Sequence, residues 1–237
     1  MHGPGGGLAA ADRLCAACVE LLHVDGAAVS LMQGGASRGT FGSSGELSRR
    51  LDEMQFTLGE GPCMEAFEKR EPVLVPDIGD ATGQRWPAFA GAAGEAGVRG
   101  VFALPATVAG TFLGVLDLFR YQPGPLSDND LRGGLLAAEL LALPLLDFMA
   151  ADADAAADAW EEGRSQLASL ERVEVYQATG MIMAQLDVGP AEALVRLRAH
   201  AFASNQTAGE AAWAVIERRL RLPDDAARRP GDTGTAS

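Results

Sequence analysis

The sequence predicts an α+β protein: a sheet-and-helix front portion, a helical connector and a three-helix tail. Three observations carry this. Two apolar runs, Val101–Val108 (VFALPATV) and Thr111–Phe119 (TFLGVLDLF), meet at Ala109-Gly110 and read as a hairpin, with GAAVSLMQ as an earlier strand. From Ser127 onward no strand pattern returns, and leucine and alanine recur at helical spacing. Near the end, Thr207-Ala208-Gly209-Glu210 has the form of a capping box, which opens a helix.

In chain order, the glycine-rich residues 1–7 are expected to be disordered, and 8–126 to form the α+β domain. Leu8–Leu22 has apolar positions at helical spacing, Gly26–Gln33 is a strand, and a short strand follows near Gly39–Phe41. Glu46–Gln55 is a short helix, and LGEGPC is a loop whose Pro62 suits the first turn of the next helix. Pro72–Val75 is a strand and Trp86–Ala96 a helix weakened by Gly91 and Gly94. Asp117 and Arg120 lie on or beside the last strand, where a charge needs solvent or a pair. Ser127-Asp128-Asn129-Asp130 is an N-terminal cap signal for a mostly helical connector, 127–165, with a kink expected at Pro144 and relaxation at Gly163. Its acidic, alanine-rich end, through Trp160, suits either a dimerising helix or a solvated linker. Residues 166–222 form the three-helix tail, and 223–237 are expected to be disordered.

Charge narrows the function classes. Residues 1–163 hold 10 Lys and Arg against 23 Asp and Glu, whereas 164–222 hold 7 against 6. Indiscriminate nucleic-acid binding needs a dense basic patch, so any such contact belongs to the last third. No uninterrupted apolar run of about 18 residues appears, so no membrane span is expected. MHGPGGG offers neither the basic nor the apolar region of a signal peptide, and the expected location is cytoplasmic.

Catalytic and metal motifs are missing. There is no P-loop, no G-x-S-x-G, no H-E-x-x-H and no Cys/His zinc spacing, and Lys69 is the single lysine. No enzyme, cofactor or metal site is expected. Cys15 and Cys18 fall one turn apart in an amphipathic helix and suit a core. Cys63 follows a glycine-rich turn near a helix start, where a thiolate is favoured; it is either a buried first-turn cysteine or a redox or ligand-gating group. Trp86, Phe89 and Phe119 are candidates to line a ligand cavity, though apolar residues more often fill a core.

Val173–Leu186 (VEVYQATGMIMAQL) has two occupied helical faces. Val175, Ala178, Ile182 and Leu186 share an apolar arc with Leu167, while Arg172, Tyr176, Thr179 and Met183 form a second stripe. In the next helix Leu194, Leu197, Ala201 and Phe202 are expected to face inward, Arg196 and His200 to stack on the other side, and Arg198 to lie nearer the apolar arc.

QATGMIMAQLDVGPAEALVRLRAHA resembles the ANTAR domain. Arg172, Gln177, Ala178, Gly180, Glu192, Ala193, Leu197, Arg198 and Ala201 fall on its pattern, over about Gln166–Leu222. QFTLGEGPCMEAF, PVLVPDI, RWPAFA and GVLDLF occur in the order of the GAF domain that precedes ANTAR in actinobacterial regulators. The resemblance implies a signal-responsive transcription antiterminator that binds, as a homodimer, paired stem-loops with hexanucleotide loops in nascent transcripts. It also implies an unknown small-molecule or redox signal at the GAF domain. Thr179 departs from the commonest ANTAR pattern, which has lysine there, so RNA affinity should lean on Arg172, Arg196 and His200.

Hexaloop bases are read by stacking and by hydrogen bonds to base edges. Tyr176 and Arg172 can stack, Gln177 and Asn205 can read edges, Gly180 can admit close backbone approach, and Arg196, Arg198, His200 and Thr179 complete the candidate RNA site. Tyr176 and Met183 can instead pack on a dimer partner, and Gly180 can serve helix packing. The alternatives are a DNA-binding regulator, against which Thr207–Ala212 has no basic residue, and a thiol-based redox sensor or enzyme using Cys63, which lacks an evident base.

Overall fold

A computed structural model of the chain describes residues 6–33, 36–80, 85–108, 110–158 and 172–223. The expectations for residues 1–5, for Trp160 and Gly163, and for 224–237 lie outside the described residues. The chain forms two compact units, Met1–Val173 and Glu174–Ser237.

In the front unit the order is α1 (Gly6–Leu21), β1 (Gly26–Gln33), β2 (Ala36–Ser43), α2 (Glu46–Leu58), α3 (Pro62–Lys69), β3 (Val73–Val75), α4 (Pro87–Glu95), β4 (Gly100–Val108), β5 (Thr111–Arg120) and α5 (Asp128–Asp158). The strands make one antiparallel sheet in the order β2-β1-β5-β4-β3. Side chains alternate across it, so β1, β4 and β5 each feed two cores. Val29, Leu31, Phe102, Leu104, Leu116 and Leu118 pack with Cys15 and Cys18 of α1 and Leu141 and Leu145 of α5. Ala28, Val101, Ala103, Val115 and Phe119 face the other way, toward Leu51 of α2, Cys63 and Ala66 of α3 and Phe89 of α4. The two α1 thiols are thus core residues. Burial pushes both up, Cys18 to about 11 and Cys15 further, the latter helped by its cysteine neighbour.

The start of α5 is fastened as the cap signal implies. Ser127 Oγ accepts from the Asp130 N–H at 3.1 Å and donates to Asp130 Oδ2 at 2.7 Å. Asp130 Oδ1 in turn lies 3.1 Å from His23 Nδ1, which joins the turn before β1 to the helix. Pro144 sits inside α5 without ending it.

The tail unit holds α6 (Val173–Leu186, whose first residue closes the front unit), α7 (Pro190–Ala203) and α8 (Ala208–Ile216). Val175, Ala178 and Ile182 are buried, as are Ala193, Leu197 and Ala201 of α7 and Ala211, Ala212 and Val215 of α8. Thr207 makes both bonds of its capping box: its Oγ1 accepts from the Glu210 N–H at 3.2 Å and its own N–H donates to Glu210 Oε2 at 2.7 Å. Two expectations are corrected. Phe202 is exposed rather than inward, and the third helix, expected to run to about Leu220, stops at Ile216, where Arg218 turns left-handed and its N–H donates to Val215 O. Loss of the cap in Thr207→Ala should cost ~1 kcal/mol, seen as about fivefold faster hydrogen exchange of the α8 amides.

Candidate functional sites

The LGEGPC loop builds a buried polar cluster against the sheet. Helix α2 closes at Gly59 (φ 70), whose N–H donates to Gln55 O and Phe56 O. Gly61 has φ 139, and a methyl there would collide with Gln55 Oε1. The bare loop therefore lets the Gln55 amide lie beneath it. Gln55 Oε1 accepts from the Cys63 N–H at 2.8 Å, and Nε2 donates to Asp117 Oδ2 at 2.8 Å. One turn earlier on α2, Asp52 accepts from Ser30 Oγ on β1 and from Thr40 Oγ1 on β2 at 2.5 Å. The Cys63 thiol donates to Ser30 Oγ at 3.4 Å.

One donor atom each from Asp52, Cys63 and Asp117 lies within 4.8 Å of the others, and all three residues are buried. Asp117 thus has neither the solvent nor the cationic pair expected for it. Burial, then the negative charge of Asp52, pushes its carboxyl well above the ordinary range, against the opposing bond from Gln55. Burial, then Asp117 and Asp52, likewise pushes the Cys63 thiol up, so the loop does not make a ready thiolate there. Cys63 lies close enough to Asp117 for each to bias the other, yet Asp117 Oδ1 has no hydrogen-bond partner among the described residues.

Of the ligand candidates, Trp86 and Phe89 are packed in the same core as Cys63. Arg85 stacks on Trp86, 4.3 Å from its ring centroid. Phe119 also packs there, and its edge reaches a cavity of about 220 Å³ lined by Asp25, Ser44, Glu46, Ser48 and Tyr121 among others.

In the tail, the candidate stripe divides. Tyr176, Gln177 and Gly180 are exposed on one side of α6. Thr179 is buried and spends its hydroxyl on Val175 O at 2.6 Å, so it is not a surface contact. Arg172 precedes the helix, belongs to the front unit and is buried, its guanidinium 3.7 Å from the Phe56 ring centroid. Its charge offsets, in part, the burial that raises the Glu53 carboxyl. On α7, Arg196 is held by Glu192 at 2.7 Å, Arg198 is half-buried, and His200 Nε2 lies 3.4 Å from Ser204 Oγ. Asn205 is exposed in a left-handed turn after α7.

Sequence reasoning missed Ser30, Thr40, Asp52 and Gln55. The available signal was Ser30 within the otherwise apolar GAAVSLM and, on α2, Asp52 and Gln55 at i, i+3 beside Leu51. Trp213 and Val195 are exposed, as are Arg218 and Arg221 after α8; none of them was singled out as a site residue.

The described residues thus make a two-cored antiparallel sheet domain with a polar cluster on one face, followed in the chain by a separate helical unit. The GAF domain family model matches residues 9–144 and the ANTAR domain model residues 164–216. The chain belongs to the GAF family and carries an ANTAR domain behind it: it is a GAF–ANTAR regulator, with ANTAR serving RNA-binding antitermination and GAF serving signal sensing. No curated protein matches the chain. Among solved structures it is similar to the type II free methionine-R-sulfoxide reductase from Thermoplasma acidophilum, at 18% identity over 62% of this chain and 97% of that one, TM-score 0.49. It is also similar to the GAF domain of a Coxiella burnetii phosphoenolpyruvate-protein phosphotransferase, at 18% identity over 61% and 84%, TM-score 0.48. These are likenesses of shape. No described helix is long and apolar enough to cross a membrane.

Two outcomes follow from the cluster. Gly61→Ala should destabilise the front unit by ~1–3 kcal/mol in urea unfolding, since it adds both a strained φ and a collision with Gln55. Asp117 takes up a proton on folding, so its contribution is present below the unfolded carboxyl value of about 3.9 and is lost as pH rises toward the folded value. Asp117→Asn should flatten that decline in stability–pH curves recorded with chelator present.

Proposed function

We propose that the chain is a cytoplasmic, non-enzymatic antiterminator that binds paired hexaloop stem-loops in nascent transcripts as a homodimer, with a signal at its GAF domain controlling the RNA contact. The hexaloop target follows from the ANTAR resemblance. The observation that carries the interface is Gly180. It is exposed mid-helix, and a methyl at its Cβ position would meet nothing within 4 Å. Packing within the described chain therefore gives no reason for a residue that weakens a helix, whereas close approach of a ligand does. Beside it, Tyr176 offers an aromatic face and Gln177 a paired donor and acceptor, the two chemistries that read unstacked bases.

Arg196, oriented by Glu192, together with His200 and Asn205 supplies the polar part of the site; Arg172 and Thr179 are left out of it because they are buried. The dimer reading is supported by α5. Leu136, Leu140 and Leu143 are exposed by 56%, 51% and 62%, and their 4–3 spacing is that of a coiled-coil seam. The non-enzymatic reading is supported by Cys63, whose buried, proton-retaining thiol is a poor nucleophile.

Gly180→Ala separates the two roles open to that residue. It should raise stability by up to about 1 kcal/mol while weakening hexaloop binding; unchanged affinity would remove α6 from the interface. Tyr176→Ala should cost ~1–3 kcal/mol of RNA affinity, and Arg196→Ala should reduce the slope of log affinity against log salt by about 1. Arg172→Ala should lower stability and leave intrinsic affinity for the hexaloop unchanged. Duplex DNA competing as well as hexaloop RNA would refute the RNA reading.

A further inference from the structure

The polar cluster beneath the LGEGPC loop has the composition of a metal site, assembled from α2, α3 and β5. We propose that Asp52, Cys63 and Asp117 bind one divalent transition ion of the zinc type.

Three donors, two carboxylates and one thiol, already lie within 4.8 Å of one another in a buried position. An ion at ~2.0–2.3 Å from each would draw them together modestly and leave a fourth position for water or a small ligand. The second observation is Asp117 Oδ1. It is buried without a hydrogen-bond partner among the described residues, on a side chain that lies against Cys63. A buried carboxyl oxygen left unmatched costs free energy, and a cation that displaces the carboxyl proton is a partner its chemistry suits. Around the donors stand the orienting contacts that metal ligands usually have. Thr40 and Ser30 hold Asp52, and Gln55 holds both the other Asp117 oxygen and the Cys63 backbone. A thiolate favours zinc, iron(II) or cobalt(II) over magnesium or calcium. On binding, the thiol proton and any carboxyl proton leave to solvent, and no electron is transferred. The proposal stands apart from the RNA reading, because its test contains no RNA.

The test uses the full chain, stripped of metal and kept reduced, titrated with cobalt(II). Expected are one ion per chain and a thiolate-to-cobalt charge-transfer absorption in the near ultraviolet, bleached by added zinc. Cys63→Ser should abolish that absorption, while the Cys15→Ser, Cys18→Ser double variant keeps it. Thr40→Val, which leaves all three donors in place, should weaken cobalt binding about 10–100-fold, with circular dichroism showing that each variant is folded. If Cys63→Ser does not fold, Thr40→Val and Asp117→Asn decide. No charge-transfer absorption at saturating cobalt, or one that survives Cys63→Ser, overturns the proposal, as does unchanged affinity in both Thr40→Val and Asp117→Asn.

Discussion

The front unit depends on one side chain, Gln55. Its amide has two ends, and each meets a group that would otherwise be costly to bury: the Cys63 backbone N–H at the start of α3 and the Asp117 carboxyl on β5. Both groups are buried from bulk solvent, so the amide ties loop to sheet. The loop geometry follows from this. Gly61 is bare because Gln55 lies beneath it, and Gly59 is left-handed because α2 must close before the chain turns back over its own last turn. The same position lets one face of an apolar sheet hold Ser30, Thr40, Asp52 and Asp117 as a connected group.

Periodicity made the scaffold legible. The apolar runs VFALPATV and TFLGVLDLF, joined at Ala109-Gly110, marked the central hairpin, although the short strand expected near Gly39–Phe41 extends over Ala36–Ser43 through its pairing with β1. Caps were legible as well, because Ser127 and Thr207 act within three residues of themselves. The polar cluster was not, because its members come from five segments and none has ligand-like spacing. Asp117 in particular looked like a charge in need of solvent; pairing with Gln55 across the interior is a tertiary fact.

The candidate RNA stripe was half legible. A wheel at 100° per residue put Tyr176 and Thr179 on one side, but Thr179 falls near the edge of the buried arc, where a threonine can turn its hydroxyl onto its own backbone. Arg172 was placed on the helix by extrapolating the wheel one residue beyond the true start at Val173. Its planar cation stacks on Phe56 instead. Gly180, by contrast, was singled out by the motif, and the open space beside it shows that packing among the described residues does not require it.

Helix α5 belongs to two surfaces at once. Leu141 and Leu145 are part of the sheet's core, while Leu140 and Leu143, their near neighbours along the helix, point outward. With its first turn held by Ser127 and His23, the helix has little freedom to roll. A change in core volume would therefore alter the curvature of the outer leucine row, without a hinge or a displaced segment. Pro144 makes such bending easier, since it withholds the N–H that would brace Leu140 O. In this helix the wall of the sheet's core and the exposed leucine row are one piece of backbone, so altered core packing is already altered shape along that row.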